Sequence, residues 1–534
     1  MNFLSASPVS SGIMLSMLDW IAIGVFLFLV VCAAMWARFQ QKGRADFFLA
    51  GRSMSWVVVT FSTFATLFST ISFVAIPGEA YDHGLMLSLT LIVGAMFYPL
   101  GVWLFLRFFF NTQTYTAYEY LERRFNLPTR LGGAMTYCII RLLYGGTVFY
   151  AAAKVFESLA GWPMIATVLV IGVFTIIYTA TGGMKAVMIT DTIQGVIVVI
   201  GIGAILYTLL QITNFDIQGI YTYASENGRG YEGVVQPEFY RMNLFDRFSL
   251  WLLLIASITT PLATLSADQS VLQRLLASKS YKHARRAVIV NAFTAVPVVG
   301  MLWLIGIGLS FLYTSGKTSL PSNIESDHVL GFFISSHLPA PFPGLITAAL
   351  LAALMSTIDS TVNCIANVIH CDFLVRLRVV GNNSNHEMLV CRLLSILIGL
   401  VCVGLAVLMT LANEGIQSNI LEITGIWSSL WLVLLAVFLI GVLAPRVTGK
   451  HIFIGMVLGG MVSLYLPYTL YYATPADERI SFMWVGVPGM LITITLPLLL
   501  SLLWPDVKST EGLTLWSIKN KSNTSKISDP VLVN

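Results

Sequence analysis

Residues 352–361 read AALMSTIDST. They lie at the centre of a nearly all-apolar run from Phe342 to Ile369, yet place Ser356, Thr357, Asp359, Ser360 and Thr361 close together. On a helix, Ala353, Ser356, Thr357 and Ser360 fall at i, i+3, i+4 and i+7, with Asp359 beside Ser356 and Ser360, so all share one stripe. A carboxylate in a membrane is costly unless something neutralises it, and a hard cation bound by hydroxyl, carboxylate and carbonyl oxygens does so. The competing reading is helix packing, because small and hydroxylated residues also line membrane interfaces that bind nothing.

The composition places that stripe in a polytopic membrane protein. Of 534 residues, 57% are hydrophobic and 10% charged, against about 25% charged in soluble domains. With about 20 apolar residues per span, helices are expected at roughly 17–37, 55–77, 84–106, 131–157, 163–180, 187–212, 248–272, 287–314, 342–369, 389–412, 418–443, 451–472 and 481–504. These are segments 1 to 13. No small-residue cleavage site follows the first run, which reads as a retained helix. The six cysteines show no paired spacing and no Cys/His cluster, so neither a disulfide framework nor a zinc site is expected.

Cytoplasmic loops near spans accumulate Lys and Arg. With the amino terminus outside, the 30 basic residues fall in inside loops except Arg229, Arg241, Arg247, Lys317, Arg479, Lys154 near an outer helix end, and Arg141 within the membrane. The expected protein is thus one transmembrane domain over 1–504, in the cell membrane, with a Ser/Asn/Lys-rich cytoplasmic tail over 505–534. The outside loop at about 213–247 reads as a surface lid or short helices. The basic residues follow topology and give no reason to expect nucleic acid. TSGKTS at 314–319 imitates a phosphate-binding loop, but Phe311 replaces its first glycine, which argues against a nucleotide. No HExxH or GxSxG appears, no helix repeats arginine at every third position, and no filter loop is repeated, so enzyme, voltage-sensor and channel readings lack their signatures.

Segment 2 complements the stripe. FSTFATLFSTISFVAIPG (61–78) carries hydroxyls through its centre and ends in Pro-Gly, the composition of a broken helix that exposes carbonyls to an ion. SITTPLATLSADQ (257–269) in segment 7 repeats the signal around Pro261, five segments later, as expected of inverted repeats over segments 2–6 and 7–11. In TGGMKAVMITDTIQG (181–195), Gly182 and Gly183 suggest a tight turn two helical turns before Asp191, which either pairs with Lys185 or approaches the Ser356/Asp359 stripe.

These motifs resemble the sodium/solute symporter family, whose members carry sugars, sialic acids, monocarboxylates, iodide or proline. The resemblance spans DFFLAGRSMSW (46–56), AYEYLERRF (117–125), IYTATGGMKAVMITDTIQG (177–195), ADQSVLQR (267–274) and ALLAALMSTIDSTVN (349–363). It implies a leucine-transporter-like all-α fold of about 13 helices: helix 1 extra, inverted five-helix repeats over about 55–212 and 248–443, and two further helices over 451–504. It implies one or two co-transported Na+. The principal site would use carbonyls of Ala65, Phe68 and Ala353 with the Ser356 and Thr357 hydroxyls. A second would use Asp191, Ser356, Asp359 and Ser360; some two-sodium members have serine in place of Asp359, and a second carboxylate would either tighten ion binding or take a proton.

The solute would lie between the broken segments and segments 3, 4 and 11, with Ser69, Ser72, Thr90, Arg141, Tyr144, Thr260, Thr264 and Trp427 as candidates. Arg141 lies about 16 Å from the inner end of its span. It is either a bidentate partner for a carboxylate-bearing solute or the partner of Glu422 or Asp191. Sialic acid carriers use an arginine that aligns with Tyr144, three residues later. The expected activity is sodium-coupled symport of a small polar solute, acidic rather than neutral, by a protein acting as a monomer. Symport of a neutral sugar and proton coupling are the alternatives.

Overall fold

A computed structural model describes residues 15–38, 48–112, 114–179, 183–246, 248–315, 318, 320, 326–379, 384–412, 420–467, 469, 474, 480–505 and 512–517. The described structure is helical, and its spans follow the thirteen segments. Segment 1 is Met17–Arg38, segment 4 is Leu127–Ala160, segment 5 is Met164–Thr179 and segment 6 is Met184–Ile212. Segment 8 is Tyr281–Thr314, segment 9 is Phe342–Val368 with a π turn to Val375, and segment 10 is Ser384–Ala412. Segments 11 to 13 are Ile420–Leu443, Gly449–Pro467 and Val487–Leu503. The 180–182 turn and the Glu422 side chain lie outside the described residues, as do several residues of 314–319.

Segment 2 is two helices, Trp56–Leu67 and Thr70–His83, bent by 60°. Ser55 caps the first by accepting from the Val58 amide, while Phe68 and Ser69 are extended. A helix leaves its last four carbonyls without intrahelical donors. Phe68 N–H serves Phe64, which leaves the Ala65 and Phe68 carbonyls at the break.

Segment 7 also breaks, between Leu250–Ser266 and Gln269–Leu276, by 55°. The break is not at Pro261, which lies inside the first helix. It falls at Ala267 and Asp268, where the Asp268 carboxylate caps the next helix by accepting from the Ser270 amide at 2.9 Å. Thus a carboxylate that restarts a helix matters here more than a missing N–H. Segment 3 bends by 42° near 96–97, which the hydropathy pattern does not reveal.

Segment 9 lies at the centre, with 89% of its apolar stretch buried, against 28% for segment 1. Its stripe therefore faces protein. It packs against segments 1, 2, 4, 5, 6 and 10. Short helices decorate the ends: Ala117–Arg124 between segments 3 and 4, Ile217–Glu226 in the long loop, and Ser326–His337 before segment 9. At Gly84 the backbone is left-handed (φ 76°), and a Cβ there would stand 2.2 Å from the Arg229 carbonyl oxygen. Glycine therefore lets the 213–247 loop dock on the turn after segment 2, where Leu85 N–H donates to that carbonyl at 2.9 Å.

Candidate functional site

Two connected regions gather the polar residues of the membrane interior. In the first, Asp191 on segment 6 is completely buried. It accepts from Ser356 Oγ at 2.7 Å, Ser62 Oγ at 2.6 Å and Arg274 Nη2 at 2.7 Å. Arg274, equally buried, comes from the helix after the segment 7 break and also reaches Ser360 Oγ and Ser62 Oγ. Ser360 donates to the Ser356 carbonyl at 2.6 Å and meets Thr66 Oγ at 3.1 Å. Of the two sequence readings for Asp191, the structure gives the approach to Ser356; its cation is Arg274, neither Lys185 nor Arg141. Asp359 faces elsewhere, accepting a hydrogen bond from Thr179 Oγ on segment 5. The stripe therefore divides, with Ser356 and Ser360 toward segment 6 and Asp359 toward segment 5.

Thr357 Oγ is buried without a hydrogen-bond partner, as are Thr63 Oγ and both amide atoms of Gln194, one turn beyond Asp191. Gly195 brings segment 6 against segment 2, where a Cβ would stand 3.6 Å from Ala65 Cβ and from the Phe61 carbonyl oxygen. Orphaned hydroxyl and amide groups inside a membrane protein are expensive. Their chemistry, with the carbonyls at the segment 2 break and Ala353 on segment 9, is that of oxygen ligands for a monovalent cation.

The second region is a cavity of about 470 Å³. Thr90, Arg141, Tyr144, Thr260 and Thr264 line it, as the sequence suggests. Ser69, Ser72 and Trp427 are not in its lining; on segment 11 that role falls to Trp431, one turn on, with Ser428 and Ser429. Ser69 instead neighbours the Tyr144 side chain. Thr66 belongs to both regions, lining the cavity and contacting Ser360.

Arg141, 5% exposed, stands among the Tyr144, Trp431 and Tyr137 rings at 5.4, 5.7 and 5.9 Å. Its Nη2 donates to Asp268 Oδ1 at 2.6 Å and Oδ2 at 2.5 Å, and to Ser270 Oγ; Nε has no partner. Of the two partners the sequence suggests for Arg141, Asp191 pairs with Arg274 instead, and the Glu422 side chain lies outside the described residues. Asp268, Arg274, Ser62, Thr66 and Gln194 are the residues sequence reasoning missed, although DQSVLQR and ITDTIQG carry three of them and FSTFATLFSTISFVAIPG the other two.

The Sodium:solute symporter family model matches residues 47–459. The chain is 26% identical over 515 residues to the sodium/sialic acid symporter NanT of Aliivibrio fischeri, covering 95% of this chain and 98% of that one. It is 28% identical over 478 residues to the human sodium/iodide cotransporter, covering 86% and 71% respectively. A solved structure of a Na+-coupled sialic acid symporter in a substrate-bound outward-open state superposes with a TM-score of 0.83 at 22% identity, covering 92% of this chain and 99% of that one. The transporter Mhp1 superposes at 0.51 and 13% identity, covering 86% and 95%. The likeness to these two structures establishes the leucine-transporter-like fold. With two broken helices facing a central stripe and a family match across most of its length, this chain belongs to the sodium:solute symporter family.

Proposed function

We propose that this symporter takes up a hydroxylated small solute bearing a carboxylate, recognised by Arg141. The observation that carries the reading is a buried arginine that lines a cavity rich in Thr and Ser hydroxyls. A carboxylate is the natural partner of such a group. The names of the sialic acid symporters among the relatives support the same class. A neutral sugar is the second reading, favoured by Asp268, which already balances the Arg141 charge.

Sodium is the coupling ion. For its principal site we assign the Ala65, Phe68 and Ala353 carbonyls with the Ser356 and Thr357 hydroxyls. A second site would draw on Asp191, Ser356 and Ser360, and on Asp359 only if it turned from Thr179; in this conformation Arg274 supplies the positive charge beside Asp191. Sodium binding holds the broken segment 2 against segment 9 and shapes the solute cavity. One ion crossing about 100 mV supplies roughly 2.3 kcal/mol, and a tenfold gradient about 1.4 more, enough for accumulation of several hundred-fold. The amino terminus lies outside, the tail after 504 is cytoplasmic, the repeats run over about 55–212 and 248–443, and the unit of transport is the monomer.

The test is a thermal-shift screen of sugars, sialic acids, monocarboxylates and amino acids with sodium or choline, followed by uptake of the best solute into liposomes. Sodium-dependent stabilisation by acidic solutes supports the reading; stabilisation by neutral sugars alone overturns it in favour of the second. Uptake that follows pH and ignores sodium would replace sodium by protons.

A further inference from the structure

We infer that Phe482 and Met483, in the link between segments 12 and 13, form the lid of the solute cavity and set its tolerance for solute size. The inference rests on the reading that this cavity holds the solute. The two segments lie after the paired repeats, yet their link lines the cavity through Phe482, Met483 and Gly486. A second cavity of about 440 Å³ lies beyond, bounded by Asp82, His83 and Arg229. The two share Leu87, Phe482 and Met483, so these side chains stand where the volumes meet.

The lid is seated by backbone as well as side chains. Ser481 N–H donates to the Leu244 carbonyl at 2.9 Å, tying the link to the long loop, and Trp484 packs with Leu252 and Val487. Gly425 on segment 11 receives the Phe482 ring: a Cβ there would stand 2.3 Å from Phe482 Cδ2. A Cβ at Gly486 would stand 2.8 Å from Ser429 Cα, so the backbone at Gly486 lies flush on segment 11. Arg141 and Asp268 lie in the polar part of the cavity, and the lid supplies an apolar wall. A carboxylate held by Arg141 leaves the other end of the solute to meet that wall, where the benzyl group of Phe482 limits length.

Labelling measures the lid without any solute. In a Cys32→Ser background, which removes the exposed native thiol, Thr264→Cys reports on the cavity interior through a small and a bulky maleimide. Phe482→Ala should speed the bulky reagent roughly tenfold and leave the small one unchanged. Gly425→Ala, which displaces the ring, should do the same, and Phe482→Leu should restore slow labelling. Equal bulky-reagent rates in all four backgrounds would overturn the lid. Uptake of N-acetylneuraminate and analogues enlarged away from the carboxylate reads the consequence: Phe482→Ala should admit the larger ones, and unchanged selectivity would overturn the size limit. If the unsubstituted protein takes up no neuraminate while labelling still depends on Phe482, the acidic-solute reading fails and the lid stands.

Discussion

Arg141 and Asp268 meet through a single nitrogen. Both carboxylate oxygens lie on Nη2, at 2.6 and 2.5 Å, so the pair neutralises its charges while Nε stays without an acceptor. The guanidinium can thus be held by the fold and still line the solute cavity.

Removing one partner of a buried ion pair leaves an uncompensated charge, at a cost of about 3–5 kcal/mol. Arg141→Gln should therefore lower the unfolding temperature in detergent, and the Arg141→Gln/Asp268→Asn double variant should recover most of the loss. If the double variant folds, binds neutral solutes and fails to bind acidic ones, Arg141 recognises the carboxylate. Full retention of acidic-solute binding would assign it a structural role alone.

Ser356 sits at the junction of both proposed ion sites. Ser356→Ala should raise the sodium concentration for half-maximal uptake by roughly tenfold, the effect of about 1.4 kcal/mol, with expression unchanged. Sodium activation identical to the parent would remove Ser356 from the ligand set.

Asp191 takes its positive partner from Arg274. Arg274→Gln leaves that carboxylate with hydroxyl donors only, so a cation should become a condition of stability. The unfolding temperature of this variant should climb steeply with sodium and hardly at all with choline, a contrast weaker in the parent. Equal responses to the two salts would show that no sodium reaches Asp191.

Outside the membrane, Glu122 on the Ala117–Arg124 helix binds Arg376 and Arg130 at 2.5 and 2.7 Å. Burial would raise its pKa, but hydrogen bonds from the two arginines outweigh burial and hold the carboxyl below the usual range. A depressed folded-state pKa gives stability that is present above the unfolded value and lost as pH falls through the folded one. The unfolding temperature should therefore decline on acidification below about pH 4.5, and Glu122→Gln should flatten part of that decline.

The ion stripe was legible because its hydroxyls recur at helical spacing in an otherwise apolar run, a pattern that local geometry alone interprets. The broken segment 2 was legible for a related reason, its hydroxyl-rich centre. Segment 7 misled through Pro261: a proline removes one hydrogen bond and the helix absorbs the loss, whereas Asp268 starts a new helix and takes a new direction. Pro99, in the first turn of Tyr98–Gly101, was an available sign of the segment 3 bend. The pairing of Arg141 with Asp268, and of Asp191 with Arg274, joins residues distant in the chain and depends on which faces the bundle turns inward. Segment 11 lines the cavity from Thr424 to Leu432 with Trp431 but without Trp427, a choice of face that only the packed bundle reveals.

Thr66 belongs to the lining of the solute cavity and to the hydroxyl cluster around Ser360. Linkage between two ligands is reciprocal. Any factor by which sodium tightens solute binding through this threonine is returned unchanged as the factor by which solute tightens sodium, so affinities measured for either partner alone understate both.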